Sequence, residues 1–142
     1  MRCVDVNVLV YGFRADTGPH HLWRPWLDAA RRDAEPLGLL TTVATGFVRV
    51  VTHPKVFAQP TPVDEALAFL DALRASPSVV PVDPGPRFWP LFDQVCRRHG
   101  ARGNRVPDAA IAASVLEQRA TLVTTDRGFA RYAGVRLQFD PN

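Results

Sequence analysis

Three aspartates stand where short apolar runs break off, and they are spread over nearly the whole 142-residue chain. Asp5 interrupts Cys3-Val4-Asp5-Val6-Asn7, Asp108 follows Arg105-Val106-Pro107, and Asp126 closes Val123-Thr124-Thr125. Carboxylates at such junctions can converge on one edge of a sheet, because ligands of open α/β sheets gather beyond the carboxyl ends of strands. Three clustered negative charges repel one another, and a hard divalent cation is the usual relief. Metal-dependent phosphodiester chemistry is therefore the first hypothesis.

The pattern between the acids predicts short strands alternating with helices. Arg2 to Val4 reads as a strand and Val6 to Phe13 as the helix leaving it. His20 to Ala34 reads as an amphipathic helix with Leu22, Trp26, Ala29 and Ala30 on one face. Leu39 to Thr41 is expected as a strand and Thr42 to Val51 as a helix burying Val43, Phe47 and Val50. Thr61 and Glu65 suit the first turn of a helix whose stripe runs through Leu70 and Leu73, with Leu67 or Ala66 completing it. Val79 to Val82 is the next strand, followed by a helix to about Arg98. Pro107 is apt for the first position of an alanine-rich helix reaching Arg119. Thr121 to Thr125 and Arg136 to Phe139 complete the strands. Strands separated by helices imply a parallel, helix-covered sheet: an α/β fold with a short, mostly parallel central sheet. No linker or repeat divides the chain, so residues 1–142 are expected to form a single domain.

Composition narrows the classes. The hydrophobic fraction of 46% argues against disorder, and no apolar run reaches the roughly 20 residues of a membrane span. An acid as early as Asp5 does not fit a secretory leader, so a cytoplasmic location is expected. Cys3 and Cys96 form no metal pattern and are expected as buried thiols. A net charge of +3 permits contact with nucleic acid without establishing it. Lys55 is the only lysine; arginine forks suit phosphate, though a GC-rich genome accounts better for the bias. Trp23, Trp26 and Trp89 are expected in the core, and His20, His21, His53 and His99 at surfaces or helix ends. No Walker-type loop and no Gly-x-Ser-x-Gly elbow is present.

Each acid also has a plainer reading: Asp5 as a helix cap, Asp108 as a first-turn acid favoured by the helix dipole, Asp126 as a turn residue.

Four segments in order carry a resemblance. Val4-Asp5-Val6-Asn7-Val8-Leu9-Val10-Tyr11, Gly46-Phe47-Val48-Arg49-Val50-Val51-Thr52-His53-Pro54-Lys55-Val56-Phe57, Gly103-Asn104-Arg105-Val106-Pro107-Asp108-Ala109 and Leu122-Val123-Thr124-Thr125-Asp126-Arg127-Gly128-Phe129 resemble the PIN domain, in particular its VapC toxins of bacterial toxin–antitoxin pairs. The resemblance spans essentially the whole chain. It implies a PIN-like fold and an endoribonuclease dependent on Mg²⁺ or Mn²⁺ that cuts structured RNA such as tRNA or rRNA loops. Asp5, Asp108 and Asp126 match its metal-binding acids. Asn7 matches a small polar residue beside the first acid, expected to support the ligands rather than touch the ion, and Thr42, Thr45 or Thr125 could fill gaps through hydroxyl or water contacts. Arg102, Arg105 and Arg127 lie nearest the acids in sequence and are candidates for contacting RNA.

Two positions depart from the family pattern. Many members carry a glutamate where this chain has Gly46, and many carry an acid where it has Gly128. Fewer carboxylates imply one tightly held cation, with any second ion needing RNA phosphate. A catalytically weak PIN domain that binds RNA or a partner is the alternative. The resemblance also implies a VapB-type antitoxin, whose C-terminal segment crosses the acid groove, and a homodimer formed through helices.

Overall fold

The computed structural model describes residues 1–142. Five strands form one sheet, β1 (Arg2–Val4), β2 (Leu37–Leu40), β3 (Val79–Val82), β4 (Thr121–Val123) and β5 (Arg136–Gln138), in the order β3-β2-β1-β4-β5. Every pairing is parallel. The helices are α1 (Val6–Phe13), α2 (His20–Ala30), α3 (Thr41–Val51), α4 (Val63–Arg74), α5 (Phe88–His99) and α6 (Arg105–Gln118). A 3₁₀ turn, Arg127–Arg131, connects β4 to β5. No helix is long and apolar enough to cross a membrane.

The strands carry near-continuous apolar runs because both faces are covered, as parallel sheets require. All four residues of β2 are buried. Val4, Leu122 and Val123 are wholly shielded, and one cluster of 30 buried residues fills both layers. On the α3 side Phe13, Phe47 and Phe69 pack ring on ring, with centroids 4.9–5.4 Å apart.

The connections decide where the site lies. From β1 the chain steps outward through β2 to β3, then returns to place β4 on the other flank of β1. The order reverses between β1 and β4, and such a switch point leaves a crevice beyond the strands' carboxyl ends. Asp5 is the first residue past β1. Its N–H donates to the Val123 carbonyl at 3.0 Å, which extends the β1–β4 ladder to the crevice floor.

Several expectations shift in register. The buried face of α2 is Trp23, Trp26, Leu27 and Ala30 rather than one containing Leu22, which is 49% exposed. In α3 the third buried residue is Val51, not Val50. In α4 the stripe is Ala66, Leu70 and Leu73, and Leu67 is left outside. Trp89 is not core: it is 71% exposed at the start of α5, edge-on to Phe88 and Phe92. Cys3 is fully buried but Cys96 only partly. The helix carrying Asp108 begins at Arg105, so Pro107 is its third residue.

Candidate active site

The residues that end β1 and β4 are tied together by one hydroxyl. Thr124 is fully buried; its Oγ1 donates to Asp5 Oδ2 at 2.6 Å and accepts from the Asp126 N–H at 3.0 Å. Asp5 is the N-cap of α1, and its Oδ1 accepts from the Val6 N–H at 2.7 Å. Asp126 caps the 3₁₀ turn, its Oδ1 accepting from the Gly128 N–H at 2.7 Å. Asp108 stands in the first turn of α6. The plain structural roles of all three are therefore real. They do not exhaust the carboxylates, because an ionised oxygen that accepts one bond keeps a second lone pair.

Asp5, Asp108 and Asp126 line one cleft of about 1250 Å³. Asp5 is only 6% exposed, and burial raises its pKa; the bonds from Thr124 and Val6 pull the other way, and Asp126 adds a further upward push. Asp108 is half-buried, and its pKa is raised first by burial, then by Asp5 and Asp126, with Arg131 opposing. Asp5 thus feels the charge of Asp126, and Asp108 that of both. The expected convergence is present, although no three acidic, histidine or cysteine side chains are close enough to form a finished cage.

The donor set suits a hard divalent cation. Asn7, the second residue of α1, lines the same cleft, and its Oδ1 is buried with no hydrogen-bond partner. A buried amide oxygen left unpaired costs about 1–3 kcal/mol, so it needs a donor or a cation. Oxygen ligands, mutually repelling carboxylates and an incomplete cage match an ion such as Mg²⁺, which keeps several waters and takes one or two carboxylates.

Helix α3 forms the facing wall. Thr42, Thr45, Gly46, Arg49 and Val50 recur at helical spacing and all line the cleft. Gly46 is fixed by proximity: a Cβ there would lie 2.9 Å from Val6 Cγ2. A side chain at that position would push α3 off α1.

Other expected residues fall elsewhere. Thr125 makes no side-chain hydrogen bond and does not line the cleft; its neighbour Thr124, unnoticed in the sequence, makes both key bonds. Arg102 and Arg105 are exposed and outside the cleft lining, and the Arg127 guanidinium lies over the Phe139 ring at 4.8 Å. Arg49 and Asn104 do line it. None of the four histidines does: His20 bonds the Tyr11 carbonyl, His21 the Gly18 carbonyl, His53 accepts from the Lys55 N–H, and His99 packs on Tyr132.

Comparison with known proteins bears on the family and the fold. The family model described as PIN domain matches residues 2–135. The chain is 46% identical over 136 residues to ribonuclease VapC43 of Mycobacterium tuberculosis, covering 96% of this chain and 92% of that one. It is 37% identical to ribonuclease VapC25 of the same organism, covering 96% of each. Among solved structures it is similar to VapBC2 from Rickettsia felis bound to a promoter DNA fragment, with TM-score 0.69, 16% identity and 96% coverage of each chain. It is also similar to Mycobacterium tuberculosis VapC20, described as a sarcin–ricin loop cleaving toxin, with TM-score 0.68, 15% identity and coverage of 96% and 99%. At those identities the solved structures establish the fold alone.

Proposed function

The chain belongs to the PIN domain family, as a ribonuclease of the VapC kind, and on that premise we propose that Asp5, Asp108 and Asp126 form a divalent-cation site that cuts structured RNA. The observation that carries this reading is the shared cleft at the β1–β4 switch point, holding three carboxylates and the unpaired Asn7 oxygen. Asp5 and Asp108 would hold the cation directly, with Asn7 as a neutral third oxygen. Mg²⁺ is the expected ion, with Mn²⁺ as a substitute. When bound, the cation supplies charge opposite the scissile phosphate and makes water a stronger acid.

The chain's own groups do the rest. The Val6 N–H and the Thr124 hydroxyl hold Asp5 in one rotamer and favour its ionised form, the form a cation needs. Thr124 also sets the position of Asp126 through its backbone. Asp126 is exposed, and we assign it to completing the shell or orienting water. The cleft of about 1250 Å³ is roomy, which suits an RNA loop rather than a mononucleotide.

The protein would act as the toxin of a toxin–antitoxin pair. Solved structures of similar fold include several VapBC assemblies, which supports an antitoxin partner; we further propose that a basic side chain of that partner enters the acid cleft. A homodimer through helices belongs to the same proposal. A second reading, a PIN domain that binds RNA and cuts it poorly, draws on Gly46 and Gly128, where family members commonly hold acids. The test for both is cleavage of total RNA by purified protein with Mg²⁺ or Mn²⁺. Cutting that disappears in Asp5→Ala and in Asp108→Ala supports the enzyme; binding without cutting supports the second reading.

A further inference from the structure

Two segments repeat one pattern on opposite flanks of the carboxylates: Gly46-Phe47-Val48-Arg49 on α3 and Gly128-Phe129-Ala130-Arg131 on the 3₁₀ turn. In each the phenylalanine is an anchor, Phe47 being 0% and Phe129 1% exposed. In each the arginine is exposed, three residues after a glycine.

The glycines matter for what the arginines lack. Four other arginines on helices or their caps pair with acids three or four residues away: Arg24 with Asp28, Arg31 with Asp28, Arg74 with Asp71, Arg97 with Asp93; Arg98 on α5 has no acid at that spacing and is unpaired too, but it does not line the cleft. That spacing puts opposite charges side by side on a helix, and in a 3₁₀ turn residues three apart eclipse. Arg49 and Arg131 have no acid at three or four residues in either direction, and neither makes an ion pair or donates a hydrogen bond to any protein group. Both nonetheless lie near the acids, although Arg131 is outside the cleft lining. Arg49 lines the cleft. Arg131 leans over Gly128, its Nη2 lying 3.3 Å from where a Cβ would stand, beside the Asp126 carboxylate at 2.8 Å from the same point.

Their placement brackets Asp5. Arg49 rides on the helix that leaves β2, and Arg131 on the turn that leaves β4; β1 lies between those strands. The two strand ends are separated by about 10 Å, twice the usual strand spacing.

Resting on the reading of this cleft as an RNA-cutting site, we propose that Arg49 and Arg131 are the phosphate-binding residues that hold the RNA backbone on either side of the scissile bond. A chain approaching three carboxylates needs positive charge not tied up in ion pairs, and with glycine at these spacings neither guanidinium is ion-paired, although the Arg131 charge also bears on Asp108. Each planar fork takes a phosphate by two parallel N–H···O bonds. The proposal commits to RNA phosphate; an acidic side chain of a protein partner is the competing occupant.

The test uses a short cleavable RNA and the full chain with Mn²⁺, comparing wild type, Arg49→Gln, Arg131→Gln, Arg49→Lys and Arg131→Lys. The Gln variants should raise KM by about tenfold each, the loss of one charge-assisted contact, with kcat little changed. In an Asp108→Asn background, where RNA stays intact, each Gln variant should flatten the salt dependence of binding by about 0.7 in log–log slope, one single-strand phosphate contact. The Lys variants should keep the slope and show a smaller rise in KM. Because both arginines are exposed, their variants should fold, which circular dichroism checks. A wild type that cuts RNA, with Gln variants of unchanged KM and slope, overturns this inference alone. So does a loss of antitoxin affinity with RNA kinetics unaltered. A wild type that cuts no RNA overturns the functional reading and this inference with it.

Discussion

Replacing Thr124 by valine keeps the shape of a fully buried side chain and deletes one oxygen. That oxygen makes two bonds, to Asp5 Oδ2 at 2.6 Å and from the Asp126 N–H at 3.0 Å. A hydrogen bond to a charged group contributes about 1.5–3 kcal/mol, and an orphaned N–H costs about 1 kcal/mol or more. The expected destabilisation at neutral pH is therefore about 2–4 kcal/mol. For a domain of this length that lowers Tm by roughly 6–15 °C. The pH dependence gives the sharper check. The Thr124 bond holds the Asp5 pKa down against burial, so it stabilises the ionised form. Its loss raises the folded-state pKa of Asp5 further. The penalty should be full above that pKa and shrink as pH falls through it, since a protonated Asp5 needs less from its donor. Residues that orient metal ligands typically change affinity or activity by about 10- to 100-fold when removed, and Mn²⁺-dependent cleavage should fall by that factor, with its acidic limb moved to higher pH. Chemical denaturation at pH 7.5 and pH 4, with cleavage rates across the same range, makes the comparison. A Tm within a degree or two of wild type, or a penalty independent of pH, would refute the reasoning.

Other consequences are open to direct measurement. Asp108→Asn should abolish cleavage yet raise the Tm of metal-free protein at neutral pH. The folded-state pKa of Asp108 is raised, so its contribution to stability is present below the ordinary carboxylate pKa and lost as pH rises through the folded value. The gain should therefore vanish near pH 3, and a lower Tm at pH 7.5 would contradict the assignment. Gly46→Glu should cost about 1–3 kcal/mol through overpacking, because its Cβ would meet Val6 Cγ2 at 2.9 Å. Val6→Ala in the same chain should recover most of that loss, and a double-mutant cycle without coupling would show the two positions to be independent. Mn²⁺ at ten times its Kd should stabilise wild type by about 1.4 kcal/mol in thermal unfolding, and Asp5→Asn should not respond.

What could be read in the sequence depended on how local the signal was. The strand–acid junctions at Asp5 and Asp126 were legible because an apolar run and its terminating acid are neighbours in the chain, and a parallel sheet aligns such ends. Thr124 was not, because its role exists only when β1 and β4 lie side by side, 119 residues apart in sequence. The arginines near the acids in sequence, Arg102, Arg105 and Arg127, proved poor guides to the cleft, whereas Arg49 enters it from α3. Closeness along a chain says little about closeness across a crevice between strands. The buried faces of α2 and α3 were displaced by one position at their ends, since periodicity gives the width of a stripe better than its phase. Trp89 shows the limit of composition: an aromatic at helical spacing in α5 stands outside, with Phe88 buried beneath it.

The central claim is that these carboxylates share one inorganic ion. Anomalous diffraction from crystals soaked in Mn²⁺ asks this without reference to substrate. A peak between Asp5 and Asp108, within reach of the Asn7 oxygen and absent in Asp108→Asn crystals, is the predicted result. Density for Mn²⁺ only at other acids, with the cleft between Asp5 and Asp108 holding none, would contradict the account.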